Sequence, residues 1–246
     1  MIIAILGATR GMGRALARAA AARGDQLILL GRELDELQRS AADLTVRAAG
    51  APAVASISCD LATPAGFGPA LDAAWAVHGR VDAVVVTAGL FGTQDALEAD
   101  LELAARLLTI NLTHTVIFCE EARRRLIAQG GGRLCVFSSV AGDRGRKPVG
   151  IYGASKAGLS HYLESLDHKY RADGLITLTV KPGFVKTGMT AGLKPPPFAG
   201  EPDGVARDVL RALDAGRPVL YTPAMWGLVM AVIRRLPRFI MRRVGF

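Results

Sequence analysis

Residues 1–13 read MIIAILGATRGMG, and this stretch decides the fold. A short apolar run, Ile2–Leu6, leads directly into a turn with glycines at positions 7, 11 and 13, where a helical pattern begins. Glycines permit a tight turn and let a pyrophosphate approach the backbone N–H groups of the helix N-terminus. Strand, glycine turn and helix in this order predict a dinucleotide site at the first turn of a parallel sheet.

The same alternation of strands and helices continues along the chain. Further strands are predicted at Gln26–Leu30, Ala53–Ser58, Ala83–Val86, Arg133–Ser138, Ile176–Lys181 and Pro218–Tyr221. Helices are predicted at Gly11–Arg23, Leu34–Ala48, Phe67–Val77, Leu101–Gln129, Tyr152–Ala172 and Pro202–Ala215. Because the strand runs are continuously apolar, they predict an α/β fold with one doubly wound, Rossmann-like parallel sheet of about seven strands, covered by helices on both faces.

The domain organisation is simple. Half of the 246 residues are hydrophobic, so a large core can form without metals or disulfides. We find no internal repeat and no linker, and therefore predict one domain over residues 1–222. Residues 223–246 form a basic amphipathic extension of the same domain. Since all the candidate catalytic residues described below lie upstream, at positions 111 to 156, we expect removal of this extension to spare catalysis.

Charge and cysteine content narrow the class of partner. The chain has 30 Lys and Arg against 22 Asp and Glu, a net charge of +8 that favours an anionic partner. We see no nucleic-acid motif and do not expect nucleic acid to bind.

Cys59, Cys119 and Cys135 lie apart within apolar segments, so they predict core residues in a reducing compartment, with no metal site. With neither a signal peptide nor a run of about 20 apolar residues, we expect a cytoplasmic protein or one on the inner face of a membrane.

The end of the second strand indicates which dinucleotide binds. An acidic residue there would bond the ribose 2′-hydroxyl of NAD and repel a 2′-phosphate. This chain has Gly31 and Arg32 instead, and Arg10 lies within the glycine turn. Two guanidinium groups can bind a 2′-phosphate with charge-assisted hydrogen bonds. The sequence therefore predicts NADP(H) as the cofactor.

A second motif predicts acid–base chemistry. Tyr152 and Lys156 are four residues apart on a predicted helix, so their side chains share one face. A tyrosine with an ordinary pKa near ~10 is a poor proton donor or acceptor at neutral pH, and a neighbouring ammonium is expected to lower that pKa. Ser138 and Ser139 end the fifth strand, which places a hydroxyl at the same edge of the sheet. Tyr152 is thus the candidate acid–base and Lys156 its partner.

These motifs, in this order over residues 1 to about 190, resemble the short-chain dehydrogenase/reductase family. The resemblance implies that Ser139, thirteen residues before Tyr152, polarises a substrate carbonyl, and that Asn111 holds a helix distortion and a proton-relay water. It implies that Lys156 holds the nicotinamide ribose. The implied cofactor contacts are Gly7, Thr9, Arg10, Gly11, Met12, Gly13, Arg32, Asp60, Leu61, Ala88, Gly89, Tyr152, Lys156, Pro182, Gly183, Val185 and Thr187.

The family resemblance also has departures and wider implications. Leu6 stands where the family usually has Thr, and Val86-Thr87 replaces an Asn-Asn pair, which removes the usual side-chain support of that turn. The family places a substrate lid at the Gly188–Gly204 loop, and it pairs the long helices between subunits. We therefore expect a homodimer or homotetramer that acts on a small-molecule or lipid-linked carbonyl compound.

Two basic segments bear on the substrate. Arg144, Arg146 and Lys147 follow the catalytic serine and could bind a substrate phosphate, or they form a solvated loop. Drawn as a helix kinked at Pro237, the C-terminus has a charged side with Arg234, Arg235, Arg238 and Arg242, and an apolar remainder with Trp226, Val229, Met230, Ile233, Leu236, Ile240 and Val244. Such a helix binds an anionic membrane surface, or it packs on the domain or a second subunit.

Residues 130 to about 243 resemble one branch of the family, the keto-reductase component of decaprenylphosphoryl-ribose 2′-epimerase. The matching segments include SSVAGDRGR, which begins at Ser138, and YGASKAGL, which begins at Tyr152. This branch implies reduction of a keto-sugar linked to a polyprenyl phosphate. The alternatives are a soluble ketoreductase of a small or acyl-type ketone, and a non-catalytic NADP(H) sensor. A sensor has no need of the Ser, Tyr, Lys and Asn set.

Overall fold

The computed structural model describes residues 1–48 and 54–245, and its centre is a parallel sheet of seven strands. The strands are β1 (Ile2–Leu6), β2 (Gln26–Gly31), β3 (Ala55–Ser58), β4 (Ala83–Val86), β5 (Gly132–Phe137), β6 (Leu175–Pro182) and β7 (Val219–Thr222). They lie in the order β3-β2-β1-β4-β5-β6-β7. Every predicted strand is confirmed to within two residues at its described ends, whereas Ala53, the predicted start of the third, lies outside the described residues.

Ten α-helices accompany the strands in the described ranges. They are α1 (Gly11–Ala22), α2 (Leu34–Arg47), α3 (Phe67–His78), α4 (Gln94–Ala99), α5 (Leu101–Leu108), α6 (Thr115–Ala128), α7 (Gly150–Tyr170), α8 (Pro202–Asp214), α9 (Met225–Ile233) and α10 (Arg238–Met241). The predicted helix Leu101–Gln129 is not uniform, because the π-helical segment Thr109–His114 joins α5 to α6. The short helix α4 was not predicted.

The core consists of two layers, one on each face of the sheet. Successive side chains of a strand point to opposite faces, so Ile3 and Ile5 pack with α1, α2 and α8, while Ala4 and Leu6 pack with α3, α6 and α7. All four side chains are buried. This burial on both faces is the reason why the strands read as continuous apolar runs, and it confirms the doubly wound architecture.

Two sequence-based expectations about apolar segments can be compared with the packing. By length and composition, the helical stretch Leu101–Ala128 is the part of the described chain that could cross a membrane. Its residues Phe118 and Leu126 are fully buried in the core, as in a helix that covers a sheet. Cys59, Cys119 and Cys135 are free and buried, as predicted, and burial raises the pKa of the Cys59 thiol to about 11.

The C-terminal extension differs from the single kinked helix that the sequence predicts. Helix α9 ends at Ile233, and α10 begins only after Pro237, because proline cannot donate the backbone hydrogen bond that would continue the first helix. Met230 and Ile233 are buried and form a small separate core with Val140. One face of the extension therefore packs on the domain.

Candidate active site

The carboxyl ends of the strands border a cavity of about 480 Å³ at the point where the strand order reverses, between β1 and β4. The predicted contact residues that line this cavity are Gly7, Thr9, Arg10, Gly11, Met12, Gly13, Arg32, Asp60, Leu61, Ala88, Gly89 and Thr187. Most of the predicted cofactor set thus meets in one place. Residues that line it without having been predicted include Glu33, Glu36, Thr87, Gly188 and Met189.

The glycine turn has no room for side chains. A Cβ at Gly13 would lie 2.2 Å from the carbonyl oxygen of Gly7, and one at Gly7 would lie 2.7 Å from the backbone nitrogen of Ala88. Gly7 and Gly11 also have positive φ angles of 99° and 51°, which residues with a Cβ rarely adopt. The backbone therefore forms an open cradle at the N-terminus of α1, which fits the pyrophosphate of a dinucleotide.

Thr87 supports the turn after β4 in place of the missing asparagines. Its hydroxyl lies 3.1 Å from the carbonyl oxygen of Leu6 and 3.0 Å from that of Gly7, and it can donate to either. The side chain thereby joins the turn after β4 to the glycine turn after β1. A hydroxyl eighty residues away from the glycine turn gives no signal in a reading by motif, so this role was missed.

Arg10 and Arg32 both line the end of the cavity next to β2, as predicted for a 2′-phosphate site. Both residues are exposed. Two carboxylates, Glu33 and Glu36, line the cavity as well, and Glu33 forms an ion pair of 3.4 Å with Arg32. Because that pair is exposed, it contributes at most about 1 kcal/mol, and a doubly charged phosphate can displace it.

Asn111 lies within the π-helical segment, which agrees with the helix distortion that the family resemblance implies. Its amide makes two hydrogen bonds to Leu90: Nδ2 donates to the carbonyl oxygen at 2.8 Å, and Oδ1 accepts from the backbone N–H at 2.7 Å. A Cβ at Gly89 would lie 3.1 Å from Oδ1 of Asn111 and 3.7 Å from Nζ of Lys156. Asn111 and Lys156 therefore converge on Gly89, which lines the cavity, but neither of the two side chains lines it.

Lys156 is held by the end of β5 and by Ser138, next to the candidate residue Ser139. Its ammonium donates to the carbonyl oxygen of Phe137 at 2.8 Å, and Ser138 donates to the carbonyl oxygen of Lys156 at 2.9 Å. The lysine is 6% exposed, and this burial lowers its pKa to about 8, because desolvation disfavours the charged form. A buried ammonium beside a ligand cavity is typical of a functional lysine.

Tyr152 behaves differently from the sequence-based expectation. Burial raises its pKa to about 12, and a hydrogen bond with the Ser139 side chain lowers it in part. The phenol ring packs edge-to-face on Phe91, with ring centroids 5.2 Å apart, while the Lys156 ammonium lies 5.9 Å from the ring centroid. The expected lowering of the pKa by Lys156 is therefore wrong for this structure, because desolvation by Phe91 and its neighbours outweighs a cation at that distance.

Five predicted contact residues do not line the cavity: Tyr152 and Lys156 of α7, and Pro182, Gly183 and Val185 at and after the end of β6. Pro182 ends the strand, Gly183 is covered by the indole of Trp226, and Val185 packs its side chain into the core. Thr187 does reach the cavity, together with Gly188 and Met189. The structure thus brings only the last part of this predicted element to the cofactor side.

The loop after Ser139 is anchored by a buried ionic network. Asp143, whose side chain is 3% exposed, accepts from Nζ of Lys181 and from the hydroxyl of Tyr221, both at 2.7 Å. Arg144 and Lys147 donate to the carbonyl oxygens of Leu236 and Arg242 in the C-terminal extension. Two of the three cations proposed for a substrate phosphate are thus engaged with the protein's own backbone.

Fold, glycine cradle and the Asn, Ser, Tyr and Lys arrangement together define one class of protein. A family model described as short chain dehydrogenase matches residues 1–197, so the chain belongs to the short-chain dehydrogenase family and is an NAD(P)-dependent oxidoreductase.

Similar proteins agree with this assignment. The chain is 35% identical to an uncharacterized oxidoreductase of Mycobacterium tuberculosis, over 98% of this chain and 96% of that protein. It is 31% identical to the human 3-oxoacyl-[acyl-carrier-protein] reductase, over 78% and 79% of the two chains. A short-chain dehydrogenase from Sphingobium yanoikuyae, solved in complex with NADPH, has the same fold, with a TM-score of 0.80, 24% identity and 96% coverage of both chains.

Proposed function

We propose that this chain reduces a carbonyl compound with NADPH, and that Asn111, Ser139, Tyr152 and Lys156 are its catalytic residues. The observation that carries the proposal is that Asn111 and Lys156 both lie close to Gly89, which lines the cavity that begins at the glycine cradle. When bound, NADPH supplies the hydride that the carbonyl carbon receives. The remaining steps belong to the protein's own side chains.

Tyr152 is the proton donor in this proposal. With a pKa of about 12 it is protonated at neutral pH and so carries the proton that the carbonyl oxygen receives, although a pKa so far above neutrality makes it a weak acid. The Ser139 hydroxyl accepts from the backbone N–H of Ala141 at 3.1 Å, so its own proton is available to donate to the same oxygen and stabilise the charge that develops there.

Lys156 and Asn111 organise the site around that proton transfer. Lys156, with a pKa of about 8, remains mostly protonated at neutral pH and is placed to hold the nicotinamide ribose. Asn111 fixes the backbone of the Gly89–Leu90 turn through its two hydrogen bonds to Leu90, so that the separation between this turn and Lys156 is held constant. For the opposite end of the cofactor, Arg10 and Arg32 support NADP(H) over NAD(H).

The experiment is an assay of purified protein with NADPH and a panel of ketones, including a 3-oxoacyl thioester, followed at 340 nm. Tyr152→Phe should abolish turnover while NADPH affinity stays within about twofold, because only the proton donor is lost. Tyr162→Phe is the matched control on the same helix, since Tyr162 donates to Glu120 away from the cavity. Substantial activity of Tyr152→Phe would refute the assignment, and NADPH binding without any turnover would favour the sensor alternative.

For the substrate we infer an amphiphilic carbonyl compound that is met at a membrane surface. Large apolar side chains are exposed at Met225, Leu228, Val232 and Phe239, and the same extension carries exposed arginines at 234, 235, 238, 242 and 243. An apolar face with flanking cations fits an anionic bilayer, and it supports our proposal of a cytoplasmic protein with peripheral contact on the inner face of the membrane.

Two substrate classes fit this surface. A keto-sugar on a polyprenyl phosphate is supported by the lipid-facing extension and by Arg146, whose Nε is buried without a hydrogen-bond partner in the described part of the chain. An acyl-type ketone is supported by the similarity to the human 3-oxoacyl reductase. The engagement of Arg144 and Lys147 with backbone carbonyls weakens the first class, and the ketone panel decides between them.

A further inference from the structure

The Gly188–Gly204 loop leaves and rejoins the fold at nearly the same point. Its far end is tied back to the segment after β6, where Gly200 donates to the carbonyl oxygen of Phe184 at 2.8 Å and Lys186 donates to that of Gly200 at 2.9 Å. Its first residues, Gly188 and Met189, line the cavity. The loop therefore runs from the cavity wall, at its first residues, back to the segment after β6, at its far end.

Trp226 of the C-terminal extension touches this loop and its base together. Its indole Nε1 donates to the carbonyl oxygen of Phe198 at 3.1 Å. A Cβ at Gly183 would lie 2.1 Å from that same nitrogen, so the ring rests directly on the backbone of the turn after β6. Beside it, a Cβ at Gly200 would lie 2.8 Å from Pro223, which shows that the loop end packs against the start of the extension.

Besides the backbone bonds at Gly200, its packing on Pro223 and the exposed ion pair of Lys186 with Glu201, the loop has little support at this end. Met189, Leu193 and Phe198 are 46%, 38% and 48% exposed, so the large apolar side chains of the loop contribute little burial energy. Segments with few buried apolar contacts open at low free-energy cost, and single hydrogen bonds then decide their position. The bond from Trp226 is such a contact.

We propose that Trp226 is a positioning residue that holds the Gly188–Gly204 loop closed against the cavity and thereby sets the KM for the carbonyl substrate. It does not touch the reacting atoms. It acts by fixing Phe198 relative to Gly183, so that Met189 keeps its place on the cavity wall. The effect on KM rests on the carbonyl reductase function proposed above, whereas the effect on the position of the loop does not.

The test compares two tryptophan variants that each lose one indole donor. Trp226→Phe keeps an aromatic ring on Gly183 but removes the bond to Phe198. Trp75→Phe is the matched control, because Trp75 donates to Gln129 at 2.8 Å in a part of the fold away from the cavity. The first readout is the rate at which chymotrypsin cleaves after Phe198, followed by mass spectrometry with and without NADPH. The second is KM and kcat with a 3-oxoacyl thioester.

We expect cleavage after Phe198 to accelerate about fivefold in Trp226→Phe and to stay at the parent rate in Trp75→Phe, as one lost hydrogen bond predicts. KM should rise by a similar factor, with a smaller change in kcat and unchanged NADPH affinity. Gly183→Ala should reproduce the faster cleavage with the tryptophan still present, because the new methyl group displaces the indole. Equal cleavage in Trp226→Phe and Trp75→Phe would overturn the proposal, even if no ketone proved to be a substrate.

Discussion

Replacement of Lys156 by Met gives the most quantitative test of the site's electrostatics. Burial lowers the pKa of this lysine from 10.5 to about 8. Since each pKa unit corresponds to about 1.4 kcal/mol, the charged form costs the folded state about 3 kcal/mol. The lysine is almost fully buried, so solvent screening does not reduce this figure much.

The pH dependence of this cost has a definite sign. Between pH 8 and pH 10.5 the unfolded chain holds the proton that the folded chain has lost, so unfolding takes up a proton and the parent becomes more stable as the pH rises. Below pH 8 the parent carries the full cost, and above pH 10.5 it carries none. Lys156→Met lacks the titration, so its stability relative to the parent should fall by about 3 kcal/mol between pH 7 and pH 11.

The assay is urea unfolding of the parent and the variant, followed by far-ultraviolet circular dichroism at several pH values across that range. Loss of the bond to Phe137 adds a constant offset, so the slope with pH carries the information, not the value at one pH. Lys169→Met removes an exposed lysine from the same helix and should give a flat difference. A flat difference for Lys156→Met as well would refute the account of a desolvated ammonium.

Three further outcomes are expected. Arg32→Asp should weaken NADPH binding by about 10- to 100-fold and improve NADH binding. Arg106→Asp on α5 is the control for the change of charge and should leave both affinities unchanged. Equal affinity of the parent for NADPH and NADH would contradict the 2′-phosphate site. Leu228→Glu should release the protein from anionic vesicles, whereas the control Val46→Glu should not. Binding of the parent to these vesicles should decline as the salt concentration rises. Absence of binding by the parent at low salt would refute membrane docking. Sedimentation should show a homodimer or homotetramer that Ile117→Glu on α6 weakens, and a parent that is monomeric at micromolar concentration would exclude it.

Much of the fold could be predicted because its signals are local. A strand that is buried on both faces must be apolar throughout, so Ile2–Leu6 and Ala83–Val86 were found with their observed ends. The cradle at Gly7 and Gly13 was found for a similar reason, since a Cβ at either position would collide with the backbone. The order of the motifs along the chain then identified Tyr152 and Lys156 as candidate catalytic residues.

The features that were missed depend on contacts between distant residues. Thr87 supports the glycine turn from a different strand, and Asp143 joins Lys181 and Tyr221, which lie 38 and 78 residues further along the chain. The raised pKa of Tyr152 follows from its packing, including the Phe91 ring, which no spacing rule contains. Local pattern fixes which side chains are candidates, while their protonation and support are set by tertiary packing.

The C-terminal extension shows how far this packing changes the functional argument. Val140 follows Ser139 directly and shares a buried cluster with Met230 and Ile233. Deletion of the extension would expose Val140 to water and remove the carbonyl groups that Arg144 and Lys147 bind. The loop after Ser139, the proposed catalytic serine, would then lose both apolar and polar support, so the expectation that deletion spares catalysis is at odds with these contacts. Single substitutions on the exposed face, such as Leu228→Glu, leave those contacts in place and separate membrane docking from catalysis.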